Sequence, residues 1–182
     1  MIGTAELHAR FLACTGVCTD TRRIVPGSLF MALKGPRFDA NAFAAQALEA
    51  GARLAVVDDP AVAVTDRHLL VPDVLTALQD LARHHRRTFH GPVIAITGTN
   101  GKTTTKELMA AVMGAQAPVL ATAGNLNNEI GVPLTLLGLH AGHRYAIIEM
   151  GAGKPGDIDV LCRIAEPDHG LITNVGRAHL QG

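Results

Sequence analysis

The feature that most constrains the fold is a glycine-bearing turn between an apolar run and a helical pattern. The turn reads Thr97-Gly-Thr-Asn-Gly-Lys-Thr-Thr104 and follows the apolar run Val93-Ile-Ala-Ile96, and a helix is predicted from about Lys102 to Met113. A strand, a tight glycine turn and a helix N-terminus form a phosphate trap, because backbone N–H groups converge there and the helix dipole favours an anion. The turn therefore predicts nucleotide binding, with Lys102 on the outer phosphates and Thr103 on Mg²⁺.

The turn departs from the strict phosphate-loop pattern, G-x-x-x-x-G-K-[ST]. That pattern needs a glycine where this chain has Ile96, and the glycine stands instead at Gly98. A Gly-Lys-Thr triplet alone is common in unrelated loops, so the alternative is a plain strand-to-helix turn with Lys102 in solvent. The strand before the turn and the helix after it favour nucleotide binding over that alternative.

The composition excludes several other classes of protein. Sixteen basic and sixteen acidic side chains cancel, which argues against a nucleic-acid or anionic-membrane partner, and 48% hydrophobic residues argue against disorder. The basic run from Arg83 to Arg87 ends a helical pattern, where cations complement the helix dipole. Three scattered cysteines (Cys14, Cys18 and Cys162) indicate a reducing compartment. No signal peptide opens the chain and no apolar run is long enough for a membrane span, so a cytoplasmic protein is expected.

Two α/β parts are predicted, residues 1–88 and 89–182, because Gly91-Pro92 interrupts a helical pattern just before a new strand. In the first part, a helix capped by Asp39 is expected to run to residue 50 with Phe43, Ala47 and Leu48 on its inner face. The other elements expected there are strands at 28–33 and 54–57 and an amphipathic helix after Asp73.

Strands and helices alternate in the second part, which favours a mainly parallel sheet with right-handed crossovers. Strands are expected at 93–97, 119–122, 145–150 and 171–174, and helices at 102–113, 134–139 and 156–164. The predicted fold class is therefore α/β, with a small N-terminal α/β domain followed by a mainly parallel ATPase-type α/β domain.

Ligands of an open parallel sheet collect beyond the carboxyl ends of its strands. Besides the glycine turn, Glu149 and the pair Thr173-Asn174 are predicted at such ends, and His179 follows shortly after. An acidic residue on the strand beside a phosphate loop commonly completes the Mg²⁺ shell. The alternatives are that Glu149 pairs with a surface base and that His179 is structural.

The string Gly124-Asn-Leu-Asn-Asn-Glu-Ile-Gly-Val-Pro133 is unusually dense in hydrogen-bonding groups. It lies between a predicted strand and a predicted helix and suits a polar ligand. Its asparagines could equally satisfy the backbone of their own turn.

Taken together, these strings resemble the Mur ligases of peptidoglycan synthesis over nearly the whole chain. The Mur form of the phosphate loop does not require a glycine at Ile96. The string from Gly124 to Pro133 favours the branch that uses D-Ala-D-Ala over MurE. The remaining strings that carry the resemblance are Asp20-Thr-Arg22, Pro26-Gly-Ser-Leu-Phe-Met-Ala-Leu-Lys-Gly35, Glu149-Met-Gly-Ala152 and Thr173-Asn-Val-Gly-Arg-Ala-His-Leu180.

The resemblance implies an ATP-dependent amide ligase that joins D-Ala-D-Ala to UDP-MurNAc-tripeptide through an acyl phosphate. It implies Lys102, Glu149 and His179 as catalytic residues, and Thr103, Glu149 and His179 as Mg²⁺ ligands. Thr21 and Arg22 are candidates for the UDP-sugar end, because arginine can fork onto a pyrophosphate. The residues implied for ATP are Gly98, Thr99, Asn100, Gly101, Lys102, Thr103 and Thr104, with Asn125 or Asn128.

Two departures from the family pattern bear on these expectations. The chain has Asp39-Ala-Asn41 where the family usually has Asp-Gly-His, which weakens the inference about the uridine pocket. It also ends at Gly182, so a fragment without the C-terminal domain and the carbamylated lysine is expected, inactive on its own. The open alternatives are a non-catalytic nucleotide- or UDP-sugar-binding module and another Mur-like ligase, such as MurE or a folylpolyglutamate synthetase-like enzyme.

Overall fold

The structure is a computed structural model that describes residues 1–176. These residues form two compact units, Met1–His84 and a second unit that begins at His85. The division falls inside a helix, a few residues before the boundary at 88/89 that the sequence predicts, and that domain boundary stays a prediction.

The first unit is built on a four-stranded parallel sheet. Its strand order is β1-β2-β5-β6, and β3 and β4 form a separate antiparallel pair. The strands are β1 (Val17–Cys18), β2 (Leu29–Met31), β3 (Lys34–Gly35), β4 (Phe38–Asp39), β5 (Leu54–Val57) and β6 (His68–Leu70). The helices are α1 (Thr4–Phe11), α2 (Ala44–Glu49) and α3 (Val74–Arg86), with 3₁₀ turns at Thr21–Arg23 and Ala40–Phe43.

Every residue of β2 and of β5 is buried. Continuous apolar runs of this kind are typical of parallel strands that are covered on both faces. The predicted strand at 54–57 is confirmed, and the strand predicted at 28–33 is present as the shorter β2. The amphipathic helix predicted after Asp73 is α3, which buries Val74, Leu78 and Leu81 at helical spacing.

The prediction that Phe43 faces the core is wrong, since this side chain is 45% exposed. Asp39 does cap the segment, but the segment it caps is the 3₁₀ turn Ala40–Phe43. The α-helix begins only at Ala44, so Phe43 lies in the preceding 3₁₀ turn and off the buried face of the helix. Ala47 and Leu48, the other two residues predicted on the inner face, are buried together with Ala44.

The second unit contains another four-stranded sheet, in the order β10-β7-β9-β8, in which every pairing is parallel. This arrangement confirms the predicted α/β class with mainly parallel sheets. The strands are β7 (Val93–Thr97), β8 (Val119–Ala121), β9 (Tyr145–Glu149) and β10 (His169–Ile172), and the helices are α4 (Lys102–Gly114), α5 (Gly131–Leu136) and α6 (Asp157–Ala165).

The two central strands of this sheet, β7 and β9, bring the predicted site residues together. Ile96 pairs in register with Glu149, and both side chains are buried. The carboxylate of β9 therefore lies beside the point where β7 enters the glycine turn. Within residues 1–176, none of the helices has the length and apolar character that a membrane crossing requires.

Candidate phosphate-binding site

The turn after β7 has the backbone shape that its two glycines predict. Gly98 has φ +135° and Gly101 has φ +79°, in the left-handed region that glycine adopts without a steric penalty. A Cβ atom on Gly98 would lie 2.2 Å from Thr173 Oγ1, so this position also requires glycine for space. Gly101 directly precedes α4, whose first N–H groups have no partner within the helix and are therefore available to an anion.

Lys102 folds back over this turn. Its Nζ atom donates hydrogen bonds to the carbonyl oxygens of Gly98 at 2.5 Å and Thr99 at 3.3 Å. A plain strand-to-helix turn would leave the Lys102 side chain extended into solvent. The side chain instead folds back onto the turn. The ammonium group is held where it adds positive charge to the converging N–H groups.

The segment that follows β10 supports the turn from the other side. The Thr173 hydroxyl donates to the Asn100 carbonyl at 2.6 Å, and Asn174 Oδ1 accepts from the Asn100 N–H at 3.0 Å. The Gly176 N–H donates to Thr99 Oγ1 at 2.9 Å. Thr173 and Asn174, which the sequence predicts near a strand end at this edge, thus fix the shape of the turn.

Glu149 ends the neighbouring strand and is 2% exposed. Its Oε1 atom accepts a hydrogen bond from Asn127 Nδ2 at 2.9 Å, whereas Oε2 is buried without a hydrogen-bond partner among the described residues. No surface base pairs with this carboxylate within residues 1–176. A buried carboxylate oxygen without a partner is energetically costly, and such atoms are typical of sites that bind an ion or ligand.

The residues present suit one Mg²⁺ ion. Oxygen ligands are those that Mg²⁺ prefers, and the Oε2 atom of Glu149 and the exposed hydroxyl-bearing Thr103 lie on the elements that meet at this edge. The described residues contain no cluster of three or more His, Cys, Asp or Glu side chains able to hold a metal ion. That agrees with an ion bound largely by phosphates and water, as Mg²⁺ commonly is. His179, the other predicted ligand, lies outside the described residues.

The asparagine string contributes a residue that the sequence did not single out. Asn128 Oδ1 accepts from the N–H groups of Ile130 and Gly131, so its side chain satisfies its own turn. Asn125 is exposed. The contact to Glu149 comes from Asn127, and no sequence signal distinguishes it from its neighbours because the choice depends on how the loop folds.

An open cavity of about 570 Å³ adjoins the turn. Both positive and negative side chains line it, and Asp157 holds its wall by accepting from the N–H groups of Gly153 and Lys154. These backbone hydrogen bonds lower the pKa of the Asp157 carboxyl. The cavity has room for more than a phosphate group. Its lining includes Lys102, Asn127, Glu129, Gly151, Lys154 and Asp157.

The residues predicted for the UDP-sugar end lie in the first unit, at the 3₁₀ turn that Thr21 begins. The Arg22 side chain is 87% exposed, and its guanidinium group forks onto the Asp20 carboxylate through Nε at 2.9 Å and Nη2 at 2.8 Å. Hydrogen bonds from Arg22 lower the pKa of Asp20 to about 2. The fork that the sequence assigns to a pyrophosphate is thus engaged by a neighbouring carboxylate.

The family departure at Asp39-Ala-Asn41 has a structural role. Asn41 is buried and donates through Nδ2 to Asp58 Oδ1 at 2.7 Å, while its Oδ1 accepts from the Asp58 N–H at 3.1 Å. Lys34 Nζ lies 2.8 Å from Asp58 Oδ1. Burial raises the pKa of the Asp58 carboxyl, but the hydrogen bonds from Lys34, Asn41 and Val74 together lower it by more than burial raises it. The net shift of the pKa is therefore downward. We refer to Lys34, Asn41 and Asp58 as the Asp58 network.

A parallel α/β sheet with this glycine turn at the end of a central strand, and a buried carboxylate at the end of the next, defines a nucleotide-binding fold of the phosphate-loop class. Comparison with known families makes the assignment narrower. Residues 13–86 match the model described as Mur ligase family, catalytic domain, and residues 96–182 match the Mur ligase middle domain. The chain belongs to the Mur ligase family, as its sequence strings predict.

Several relatives with an assigned activity are similar to this chain. It is 46% identical over 168 residues to the UDP-N-acetylmuramoyl-tripeptide–D-alanyl-D-alanine ligase of Bacillus subtilis. This alignment covers 91% of this chain and 37% of the relative. It is 43% identical over 177 residues to the ligase of the same name from Escherichia coli, with 97% and 39% covered. The chain therefore spans less than half the length of these relatives.

Solved structures agree with the fold. A crystal structure of MurF from Acinetobacter baumannii matches with a TM-score of 0.85 at 38% identity, over 97% of this chain and 42% of that one. The MurF ligase of Thermotoga maritima in complex with ADP matches with a TM-score of 0.83 at 38% identity, over 93% and 39%. These similarities confirm the α/β fold class.

Proposed function

We propose that this chain carries the nucleotide-binding part and the UDP-sugar-binding part of an ATP-dependent ligase that joins D-Ala-D-Ala to UDP-MurNAc-tripeptide. The observation that carries the proposal is the glycine turn under Lys102, which follows the strand next to that of Glu149, whose Oε2 atom has no hydrogen-bond partner within residues 1–176. Relatives named for this reaction support the choice of substrates, and the ADP complex of one of them supports ATP as the nucleotide.

In the proposed reaction, the terminal carboxylate of the tripeptide attacks the γ-phosphorus of ATP, and ADP leaves. The resulting acyl phosphate is attacked by the amine of D-Ala-D-Ala, and phosphate leaves from the tetrahedral intermediate as the amide forms. The N–H groups of the turn at Gly98–Thr104 hold the phosphates, and Lys102 stabilises the charge on the transferring phosphoryl group. When bound by Thr103 and Glu149, Mg²⁺ supplies further neutralisation of phosphate charge.

The remaining residues take supporting roles in this proposal. His179 would hold a second Mg²⁺ ion, and Asn125 or Asn128 would contact the nucleotide. Thr21 and Arg22 receive the diphosphate of the UDP-sugar, which requires the Arg22 guanidinium to share or leave its fork on Asp20. Residues 1–88 and 89–182 form the two binding domains. Because ATP and UDP-linked sugars are cytoplasmic metabolites, we propose that the protein acts in the cytoplasm.

The test is phosphate release by the full-length protein with each substrate omitted in turn. Release is expected only when ATP, UDP-MurNAc-tripeptide and D-Ala-D-Ala are all present, and Lys102→Ala is expected to abolish it because the phosphoryl charge is then unopposed. The matched control is Arg163→Ala, which removes an exposed cation of the same unit that pairs with Asp159, and full activity is expected.

Two results contradict the proposal in different ways. Phosphate release driven by free amino acids or folates identifies another ligase of the same superfamily. Binding of ATP and UDP-sugar without phosphate release, under conditions where the Escherichia coli relative is active, identifies a binding module.

A further inference from the structure

A second lysine of the nucleotide-binding unit is buried and has no part in the proposed chemistry. Lys106 lies one helical turn after Lys102 in α4 and is 1% exposed. Its Nζ atom donates to the Thr122 carbonyl at 2.6 Å and lies 2.7 Å from Glu107 Oε1. A buried ammonium group is expensive to desolvate, and an apolar residue of similar size often gives equal stability. Stability alone is therefore a weak explanation for a charge at this position.

The partner of Lys106 contacts the candidate metal ligand directly. Thr122 immediately follows β8 and is 1% exposed. Its hydroxyl oxygen accepts the Glu149 N–H at 2.9 Å, and its own N–H donates to the Ile147 carbonyl at 3.0 Å. One residue thus links Lys106, through its carbonyl, to the backbone of Glu149, through its hydroxyl.

We propose that Lys106 is a positioning residue that acts through Thr122 to fix Glu149 against the phosphate-binding turn. The proposal rests on the function proposed above, since it assumes that Glu149 binds Mg²⁺. The first residues of α4, from Lys102 to Thr104, complete the phosphate-binding turn, and β9 carries the carboxylate. The hydrogen bond from Lys106 to Thr122, at the end of β8, connects α4 to the residue that contacts Glu149 in β9.

Two hydrogen bonds position Glu149, one at its backbone and one at its side chain. Thr122 accepts from its backbone N–H and Asn127 donates to its Oε1 atom, whereas its Oε2 atom has no hydrogen-bond partner in the part of the chain that the structure describes. A metal ligand has to be held close to its productive position, and loss of a residue that orients a ligand typically lowers metal affinity by about 10–100-fold.

The test measures Mg²⁺ dependence of binding rather than turnover. Binding of the non-hydrolysable analogue AMP-PNP to the full-length protein is followed by calorimetry at a series of Mg²⁺ concentrations and in EDTA. In Lys106→Met and in Thr122→Val, the Mg²⁺ concentration that gives half of the maximal gain in AMP-PNP affinity (the Mg²⁺ midpoint) is expected to rise by about tenfold or more. Affinity in EDTA is expected to stay near the wild-type value, because the turn itself is intact.

Two further variants separate positioning from stability. Thr122→Ser keeps the hydroxyl and is expected to restore the wild-type Mg²⁺ midpoint. Thr135→Val removes a buried hydroxyl that donates to the Gly131 carbonyl in α5, so it is expected to lower thermal stability without moving the midpoint. If Lys106→Met does not fold, Lys106→Gln, which removes the charge and keeps a polar side chain, tests the role of Lys106, while Thr122→Val tests the link from Thr122 to Glu149.

An unchanged Mg²⁺ midpoint in folded Lys106→Met and Thr122→Val overturns the positioning role, as does an equal loss of affinity in EDTA. Failure of the proposed function looks different. In that case the wild-type protein itself shows no Mg²⁺-dependent binding of AMP-PNP.

Discussion

The two parallel sheets of this chain use the carboxyl ends of their strands in different ways. At the end of β5, Asp58 has its charge paired with Lys34 and its hydrogen bonds filled by Asn41. At the end of β9, Glu149 is buried, yet one of its oxygens has no hydrogen-bond partner among the described residues. Two carboxylates near the carboxyl ends of parallel strands thus differ in whether the described residues satisfy all their hydrogen-bond acceptors.

This difference indicates that one carboxylate stabilises the fold, whereas the other is available to bind a ligand. A carboxylate whose partners are all supplied by the chain stabilises the fold, since its desolvation is compensated locally. A carboxylate left partly unsatisfied carries a cost that a bound cation can offset. The unpartnered polar atoms described in the first unit, Ser28 Oγ and His68 Nε2, lie at the amino ends of β2 and β6 instead.

The strongest test of this difference between Glu149 and Asp58 is to replace each carboxylate by its amide. Glu149→Gln is expected to lower kcat for phosphate release by about 10²–10³-fold, because the charge opposite the phosphates is lost. Asp58→Asn is expected to leave kcat near the wild-type value. Steady-state assays at saturating substrates check both, and equal losses in the two variants contradict the division between chemistry and support.

Paired glycine substitutions test the turn against a glycine of positive φ in the first unit, Gly51, which follows α2. Gly98 and Gly51 both have positive φ, but a Cβ atom on Gly98 overlaps Thr173, whereas on Gly51 it meets Pro26 at 3.6 Å, an ordinary contact. Gly98→Ala is therefore expected to lower the free energy of unfolding by about 1–3 kcal/mol more than Gly51→Ala, and to weaken nucleotide binding. Urea unfolding and calorimetry measure the two effects, and similar values for both variants oppose this account of the turn.

Acid titration sharpens the role assigned to Asp58. Its pKa is lowered in the folded state, so its contribution to stability is complete above the unfolded value and is lost as the pH falls through the folded value. Wild-type stability is expected to fall below about pH 4, and Asp58→Asn, destabilised by about 1–3 kcal/mol at neutral pH, is expected to lose less there. Thermal unfolding between pH 2 and 7 tests this, and parallel curves for the two proteins contradict it.

The smallest expected effect concerns Asp20 and Arg22, which are exposed and add little to stability. An NMR titration is expected to give Asp20 a pKa of about 2 in the wild type. In Arg22→Ala the pKa of Asp20 is expected to rise toward the ordinary value of about 3.9 but to stay below it, because the backbone N–H of residue 22 still donates to Asp20 Oδ1. Saturating UDP is expected to raise the wild-type value if Arg22 turns to the diphosphate. A value unaffected by UDP argues against the proposed role of Arg22.

Local patterns predicted the central part of the second unit well. Strand β7, the glycine turn and α4 each follow from a few adjacent residues, and β9 follows from one apolar run. The short strands β1, β3, β4 and β6 have two or three residues each, too few for any periodicity. Phe43 shows the same limit, because a 3₁₀ turn before α2 shifts the helical phase without a clear sequence signal.

The supporting residues of the site were harder to predict than the reactive candidates. Lys102 and Glu149 could be proposed from their places at strand ends, which is a property of the chain order. Asn127, Lys106 and Thr122 gain their significance only from contacts between elements distant in sequence. A lysine in an amphipathic helix pattern gives no indication that it is buried. His179 remains a prediction from the sequence.

The most direct test of the central claim is a crystal structure of the full-length protein with AMP-PNP and Mg²⁺. The account predicts the β- and γ-phosphates within hydrogen-bonding distance of the N–H groups at Gly98–Thr104. It also predicts Mg²⁺ about 2.1 Å from both Thr103 Oγ1 and Glu149 Oε2. Phosphates bound away from this turn, or a metal ion with Glu149 Oε2 still without a partner, would contradict it.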